Sequence, residues 1–451
     1  MSERWAVVGG GMLGLTLALR AAQAGREVVL YEAADELGGL ASAWRIGDVT
    51  WDRHYHVTLL SDGAYRNVLR EIGLDDSMRW VETRTGFFDG HRLYSISSSV
   101  EYLKLPALSL VDKLRVGYTI WHGSRLRDWR TLERTPVEDW LVSLSGRSAF
   151  EALWRPLLEA KLGEGWRDTS AAFLWATIQR LYAARRTGLK KEMFGYAPGG
   201  YAAVLARFAD HLRSLGVSIR LSDPVAAIDR EADGGLRVGS RSGEDVFDRV
   251  VVTSAPPVAA RFATCLPEAE RARLASVRYQ GIVCASLVLS RPLEGYYLTY
   301  LTGRKMPFTA IVEMTGLVDS AEVGGRHLVY LPRYVESSDR FFRMSDEEIH
   351  AEFLPALRAV HPDVRDEDVL AFRVSRVPQV FPVPVLGYSE QVAPRDTSVP
   401  GLHLVSSANI VNGTLNVNET VQLAERAASE LLSGEPVRSR PQALVGERSE
   451  A

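Results

Sequence analysis

WAVVGGGMLGLTLALRAAQAGREVVLYE, residues 5–32, decides the fold of this chain. A short apolar run ends at three consecutive glycines, apolar residues then recur at helical spacing as far as Gly25, and a second apolar run ends at Glu32. This order predicts a β-strand, a tight turn, an α-helix and a second strand parallel to the first. The segment therefore predicts the start of a doubly wound α/β sheet.

The glycines of the turn form a dinucleotide-binding fingerprint, Gly9-x-Gly11-x-x-Gly14. The first glycine allows the tight turn, the second lets the backbone approach a diphosphate, and the third lets the helix pack closely on the strand. The helix then begins at Met12 and Leu13, whose backbone N–H groups face the phosphates. A glycine-rich turn without a ligand is the alternative interpretation.

The second strand ends at an acidic residue, Glu32, eighteen residues after Gly14. A carboxylate at this position accepts the hydroxyl groups of a ribose and repels a 2′-phosphate, which disfavours NADP. The sequence contains no second GxGxxG after a predicted strand, no nucleophile elbow and no metal-ligand cluster. A separate NAD(P)H domain and a metal site are therefore not predicted.

The composition is that of an ordinary folded chain of 451 residues, with 46% hydrophobic and 24% charged residues. A formal net charge of -3 excludes a general electrostatic attraction to nucleic acid. Two cysteines, Cys265 and Cys284, are too few for a disulfide framework. The sequence shows neither a signal-peptide pattern nor a long apolar run, which predicts no transmembrane segment and a cytoplasmic location. The excess of arginine over lysine is typical of a GC-rich bacterial genome.

The dinucleotide-binding pattern lies in three separated pieces of the chain, which favours interleaved domains over consecutive ones. The predicted organisation is a discontinuous nucleotide-binding domain at 1–85, 192–270 and 396–434, a helical insertion at 86–191, a β-rich substrate domain at 271–395 and a disordered tail at 435–451.

A second glycine pair extends the pattern into a resemblance to a known superfamily. The string Gly9-Gly10-Gly11-x-x-Gly14, through Glu32 to Gly38-Gly39-x-x-Ser42, resembles the flavin amine oxidase, protoporphyrinogen oxidase and phytoene desaturase superfamily, whose members bind FAD. The resemblance implies a Rossmann-like FAD-binding domain of the GR2 type, interleaved with a helical insertion and a mixed β-sheet substrate domain. By position it implies FAD contacts at Gly9, Gly11, Met12, Leu13, Gly14, Glu32, Gly38, Gly39, Leu40, Ala41, His56, Val225, Ser254, Ser407, Asn409, Val417 and Asn418.

The segment His54-Tyr55-His56 provides the candidate catalytic side chains. It resembles the superfamily stretch that passes the isoalloxazine ring, where UDP-galactopyranose mutases have a histidine that matches His56. A histidine there can hydrogen-bond flavin, hold a substrate hydroxyl group or move a proton near neutral pH. The alternative is that His54 or His56 only packs and bonds to backbone.

The chain departs from typical amine oxidases at several positions. Leu40 stands where many of them have arginine, Cys284 where a lysine near flavin N5 is usual, and Ser407-Ala408-Asn409 where a Gly-Asp pair is common. No aromatic pair that could hold an amine is evident around Phe381. These departures weaken the case for amine oxidation, and they leave the ribityl contact to Ser407 or Asn409.

Two further stretches predict substrate or membrane contacts. Arg185 and Arg186 belong to a basic cluster between residues 180 and 191 and are candidates to clamp a substrate phosphate or to rest on an anionic membrane. A solvated helix face paired with acids is the alternative. The apolar stretch 105–129 predicts either a lipid entrance or plain core. Peripheral membrane contact therefore stays open.

The leading functional expectation is an FAD-dependent oxidoreductase that abstracts hydride from a C–N, C–O or C–C bond of a small organic, sugar-linked or lipid-linked substrate. The first alternative is a non-redox flavin-dependent isomerase or mutase acting on a nucleotide-sugar or prenyl phosphate. The second is a non-catalytic binding protein, like the Rab escort and GDP-dissociation inhibitor proteins that share this fold. The oligomeric state is not predicted.

Overall fold

The computed structural model describes residues 2–106, 108–185, 193–411 and 413–434. The tail at 435–451 and part of the basic cluster, including Arg186, lie outside the described residues.

The strands in this part of the chain are, in order, β1 (Arg4–Val8), β2 (Glu27–Tyr31), β3 (Ala43–Ile46), β4 (Val49–Asp52), β5 (Thr58–Leu59), β6 (Arg79–Glu82), β7 (Thr85–Phe88), β8 (Leu93–Ser95), β9 (Met193–Tyr196), β10 (Ser218–Arg220), β11 (Val225–Arg230), β12 (Leu236–Ser240), β13 (Gly243–Phe247), β14 (Arg249–Val252), β15 (Tyr279–Leu289), β16 (Leu298–Leu301), β17 (Ala310–Glu313), β18 (His327–Glu336), β19 (Val369–Pro382) and β20 (Leu402–Leu404). The helices are α1 (Met12–Gln23), α2 (Gly63–Glu71), α3 (Ser99–Lys104), α4 (Leu110–Arg125), α5 (Arg130–Glu133), α6 (Val137–Ala149), α7 (Arg155–Leu162), α8 (Ala171–Arg185), α9 (Gly200–Ser214), α10 (Pro256–Phe262), α11 (Glu268–Ala275), α12 (Asp346–Val360), α13 (Tyr388–Gln391) and α14 (Val417–Ser433).

A five-stranded parallel sheet with the order β10-β2-β1-β14-β20 lies at the centre of the nucleotide-binding half. Its three inner strands, β2, β1 and β14, are apolar on both faces because both faces are covered. Helices α1, α9 and α14 pack on one face, and the antiparallel strands β11, β12 and β13 with α10 pack on the other.

The parallel sheet draws its strands from three segments that are far apart in the sequence. β1 and β2 come from the N-terminal segment, β10 and β14 from the middle of the chain, and β20 from near its end. In open α/β sheets, ligands bind beyond the carboxyl ends of the strands, at one edge. The residues that follow β1, β2 and β14 therefore meet at one edge of the sheet.

A seven-stranded mixed sheet, in the order β19-β15-β18-β17-β16-β7-β8, forms the second half. Helix α12 covers one face of it, and the other face packs against α4, α6, α7 and α8. The predicted start of the helical insertion at residue 86 is wrong, because β7 pairs in parallel with β16 and β8 pairs with β7. The helical region begins only at Ser99.

The helical region runs from α3 to α8 and buries Phe150, Trp154 and Trp175 against the mixed sheet. Among the described residues, no helix is long and apolar enough to cross a membrane.

Candidate functional site

The turn between β1 and α1 has the geometry that the fingerprint predicts. Gly9 has φ +115°, a conformation that favours glycine. A Cβ on Gly14 would overlap the carbonyl oxygen of Gly9, so α1 packs directly on the turn. Gly11 precedes α1 as its N-cap and provides no side-chain cap. The first N–H groups of the helix, at Met12 and Leu13, are therefore oriented to bind an anion.

Glu32 is fixed at the end of β2 by the backbone of two neighbouring turns. Its Oε2 accepts a 2.6 Å hydrogen bond from Gly10 N, and its Oε1 accepts a 2.9 Å bond from Ala34 N. An ionised carboxylate has about four lone-pair sites, so both oxygens keep capacity for a ligand hydroxyl group. The carboxylate thus lies beside the glycine turn, as a ribose-binding residue requires.

The second glycine pair lies against the first turn. Gly38 N donates a 2.8 Å bond to Gly10 O, and Gly38 forms a parallel β-bridge with Gly11. Gly38 and Gly39 have φ of +111° and +56°, which favours glycine at both positions. Two main-chain turns without side chains therefore face each other. Because Gly9 N, Gly10 N and Gly38 N donate within the protein, an anion here would be bound by the first N–H groups of α1.

The two residues after this pair differ in what they expose. Ala41 is buried in the core beside α1 and α9. Leu40 is half-buried and directs its carbonyl oxygen to His54. Because its side chain is buried, Ala41 could contact a cofactor only through its backbone.

Two buried hydroxyl groups provide an independent test of whether a ligand fits here. Among the described residues, the Oγ atoms of Ser42 and Ser254 are buried without a hydrogen-bond partner. Buried polar groups normally have partners, so both oxygens are suited to ligand atoms. Ser254 follows β14 at the same sheet edge as the glycine turns. Val225, the first residue of β11, is half-buried. These residues fit a dinucleotide.

The C-terminal candidates Ser407 and Asn409 both have side-chain partners within the protein. Ser407 Oγ lies 3.2 Å from the Tyr279 hydroxyl oxygen. Asn409 uses its side-chain amide within its own turn, accepting from Ser406 N and donating to Ala393 O. The Asn409 side chain therefore stabilises the turn, and a cofactor contact at this position stays a prediction. Its oxygen caps the turn and its nitrogen ties the turn to Ala393.

Helix α14 begins at two of the residues that the resemblance implies as FAD contacts, Val417 and Asn418. Val417 is its first residue, and the Asn416 side chain caps it by accepting from Glu419 N. Asn418 Oδ1 accepts from Tyr65 N at the start of α2, so this side chain joins two helices. The first N–H groups of α14 are left as the polar groups for a ligand.

His54 is a packing residue with both ring nitrogens occupied. Nδ1 lies 3.3 Å from Leu40 O, and Nε2 lies 3.1 Å from Ser375 Oγ. Burial lowers the pKa of His54 to about 3, so the ring is neutral near pH 7. The prediction of His54 as a catalytic group is therefore corrected, because a ring that bonds protein at both nitrogens has none left for a substrate proton.

His56 keeps one ring nitrogen for chemistry. Its Nδ1 lies 2.9 Å from His54 O, which makes Nδ1 the donor and Nε2 the acceptor in the neutral ring. Burial lowers the pKa of His56 to about 4, so Nε2 is an unprotonated acceptor near pH 7. The adjacent Tyr55 hydroxyl is 2.7 Å from the Tyr334 hydroxyl, and burial raises the Tyr55 pKa well above its ordinary value.

The structure adds a residue that the sequence interpretation missed, the buried carboxyl group of Asp52. Its Oδ1 accepts a 2.7 Å bond from Tyr201 N in the first turn of α9. Together with His56, Tyr65 and Tyr201, it lines a small cavity. Burial raises the Asp52 pKa to about 7. An acidic residue two positions before the histidine-containing segment was the available signal.

We expect Asp52→Asn to change the pH dependence of stability. A carboxyl group whose pKa is about 7 when folded and near its ordinary value when unfolded stabilises the fold most below about pH 4. That stabilisation is lost as the pH rises to about 7, by at most about 4 kcal/mol, part of which the N-terminus of α9 offsets. Asparagine preserves the oxygen that accepts from Tyr201. Urea unfolding of both proteins between pH 4 and 8 should show that the difference between their unfolding free energies changes over this range. A difference that does not depend on pH would contradict the assignment.

The remaining predicted residues are only partly placed. Arg185 ends α8 and Arg186 lies outside the described residues, so neither is located as a substrate clamp. Cys284 is fully buried in β15, and burial raises its thiol pKa. Within the described ranges, no group of three or more potential ligands could hold a metal ion.

The mixed sheet contains an aromatic contact at Phe381. Phe381 does have an aromatic partner, because its ring lies 5.9 Å from that of Tyr334, at an interplanar angle of 62°. The two residues are on strands β19 and β18, and this pairing is not visible in the sequence.

Comparison with known proteins agrees with this geometry. The family model described as flavin containing amine oxidoreductase matches residues 13–432. A zeta-carotene desaturase from a Synechocystis species is 23% identical over 432 residues, which cover 83% of this chain and 86% of the relative.

Solved structures share the fold at low sequence identity. A protein from Exiguobacterium sp. 255-15, provisionally named a protoporphyrinogen oxidase, is 20% identical, has a TM-score of 0.76 and is aligned over 96% of this chain and 100% of its own. Reduced UDP-galactopyranose mutase is 14% identical, with a TM-score of 0.76 over 96% of this chain and 95% of that protein. The predicted α/β fold class is thereby confirmed, and so is the predicted resemblance to the flavin amine oxidase superfamily.

Proposed function

Because this chain belongs to the flavin containing amine oxidoreductase family, we propose that it is an FAD-dependent oxidoreductase that removes a hydride and a proton from a C–N, C–O or C–C bond of an organic substrate. The main support is the pair of opposed glycine turns, Gly9–Gly11 and Gly38–Gly39, beside the anchored carboxylate of Glu32. A diphosphate between a ribose and a second nucleotide-like moiety matches this arrangement.

The chain's own residues would bind and orient the cofactor as follows. The N–H groups at the start of α1 would bind the diphosphate, which the second glycine turn lets approach the main chain, and Glu32 would accept from the ribose. Ser254 and Ser42 use their unpartnered hydroxyl groups, and the start of α14 stabilises negative charge. FAD, when bound, supplies the acceptor for the hydride.

The proton that leaves the substrate needs an acceptor on the protein. His56 Nε2 is the candidate, because Nδ1 is committed to the His54 carbonyl oxygen and the ring is neutral near pH 7. The hydroxyl groups of Tyr55 and Tyr334 bond each other, so one of their two protons is left to donate to an oxygen of the substrate.

Anaerobic mixing of the flavin-loaded protein with a panel of amines, alcohols and unsaturated hydrocarbons tests the proposal. Loss of the flavin absorbance with one of these classes identifies the bond that is oxidised. Failure of every class to bleach the flavin, together with turnover of a nucleotide-sugar that needs only prereduced flavin and consumes no acceptor, would overturn net oxidation.

That outcome would support the second candidate, a non-redox isomerase or mutase. The His56 match and the fold shared with reduced UDP-galactopyranose mutase favour it. The basic cluster would then hold the phosphate of the substrate.

A surface helix with buried polar residues and exposed apolar residues supports a lipid-linked substrate. Helix α4 buries Asp112, Lys113, Thr119 and Ser124. Its exposed face instead presents large apolar side chains, listed here with their exposed fractions: Leu110 64%, Val111 56%, Leu114 64%, Tyr118 49% and Trp121 47%.

The charges on this exposed face of α4 favour an anionic membrane as its partner. Arg115 and Arg125 are exposed on it, and no carboxylate is. The Arg125 guanidinium lies over the Trp121 ring, as suits a membrane–water interface. The face therefore rests on an anionic lipid surface.

The double variant Leu114→Ser/Trp121→Ser is expected to lose vesicle binding. Burial of these two side chains in the membrane contributes about 3 kcal/mol or more to the binding free energy, so their loss should lower the affinity for vesicles by more than about 100-fold. Co-sedimentation with phosphatidylglycerol vesicles measures this, and Leu370→Ser, at another exposed site, is the matched control. Unchanged binding by the double variant, or a wild-type dimer that the variant dissociates without any vesicle binding, would contradict the membrane assignment.

A further inference from the structure

Lys161 places a cation on the aromatic pair of the mixed sheet. Its Nζ, in α7, lies 3.7 Å from the Tyr334 ring centroid and 5.1 Å from that of Phe381. Lys161 is half-buried, and in the described part of the chain no carboxylate lies within ion-pair distance of it. The positive charge is thus held by two rings and left without a counter-ion.

A buried amide without partners lies beside this cation. Gln280 on β15 is 1% exposed, and among the described residues neither its Nε2 nor its Oε1 has a hydrogen-bond partner. It pairs across the sheet with Phe381, and its Nε2 is 3.5 Å from where a Cβ of Gly163 would lie, two residues after Lys161. An unpaired buried amide costs about 1–3 kcal/mol, so Gln280 is suited to a ligand.

The cluster is continuous with the candidate catalytic segment. The Tyr334 hydroxyl, on a ring that holds Lys161, is 2.7 Å from the Tyr55 hydroxyl, and Tyr55 is next to His56. The chain of contacts from Lys161 through Tyr334 therefore reaches Tyr55, one of the candidate catalytic residues.

Two aromatic rings at this separation would form a site for an ammonium group, but Lys161 already occupies it. A cation at this position repels a second cation and attracts an anion. We propose that the substrate has an anionic group, a carboxylate or a phosphate, which binds Lys161 Nζ and the Gln280 amide, and that amines are excluded. That the bound anion is a substrate rests on the proposed function, whereas the anion site itself rests on these residues alone.

Calorimetric titration of the full chain, loaded with flavin, tests this with benzoate, phenyl phosphate and benzylamine as probes. Lys161→Met should weaken binding of the anion by about tenfold or more, as expected for a lost charge-assisted hydrogen bond. Lys161→Arg should stay within about threefold, and Gln280→Met should weaken it by a smaller factor. Benzylamine should bind Lys161→Met and not the wild type. The exposed Lys305→Met controls for charge.

Thermal unfolding of each variant separates loss of the site from loss of the fold. Whichever of benzoate and phenyl phosphate binds more tightly shows whether the site prefers a carboxylate or a phosphate. The inference is overturned if neither anion distinguishes the wild type from a folded Lys161→Met, or if benzylamine binds the wild type more tightly than both anions. Flavin content is measured in the same samples. A chain that binds the anion but takes up no flavin would therefore contradict only the proposed function. A chain that takes up flavin but binds no anion would contradict only this inference.

Discussion

Gly11→Ala is expected to leave the protein folded and to remove most of its affinity for flavin. Gly11 has φ -74°, which alanine adopts readily, and a Cβ there would meet only Gly38 O at 3.9 Å. The added methyl group would instead occupy the space that a diphosphate needs against the backbone. Overpacking of about 1–3 kcal/mol corresponds to a rise of about 5- to 150-fold in the dissociation constant.

Flavin titration of the apoprotein, followed by flavin fluorescence, measures this change. The unfolding free energy should stay within about 1 kcal/mol of the wild type, because a weaker N-cap and a less flexible unfolded chain offset each other. Equal flavin affinity in a folded Gly11→Ala would mean that the backbone at this turn does not contact the cofactor.

Gly14→Ala is expected to have the opposite profile, a loss of the fold itself. The new Cβ would overlap the carbonyl oxygen of Gly9, which is main chain and cannot rotate away. Either α1 shifts from β1 or the turn opens, at a cost of about 3 kcal/mol or more. That is a large share of the stability of an ordinary domain.

Urea unfolding measures this loss, with Gly117→Ala as the matched control. Gly117 is exposed within α4, and a Cβ there would meet nothing within 4 Å, so alanine should stabilise by up to about 1 kcal/mol. A Gly14→Ala protein as stable as Gly117→Ala would show that the close packing of α1 on the turn is not required.

The sequence predicted the elements whose signals are local. Strand β1, helix α1 and strand β2 follow in the order expected from residues 5–32, because strand runs and helical spacing are visible within one segment. Glu32 lies beside the glycine turn because the length of one βαβ unit places it there.

Pairings between distant segments were not predictable in the same way. β7 joins β16 from more than 200 residues away, and nothing within residues 85–88 specifies that partner. The packing role of His54 depends on a contact with Ser375, a residue of β19. The cation at Tyr334 and Phe381 comes from α7. Such contacts depend on tertiary packing, which a single sequence does not display.

The absorbance spectrum of the purified protein tests the central claim most directly. Two glycine turns, Glu32 and the unpartnered hydroxyl groups predict a bound flavin with a band at about 450 nm, released on denaturation as FAD in a ratio of about one per chain. A colourless protein that also fails to take up added FAD would contradict the account and would favour a binding protein without flavin chemistry.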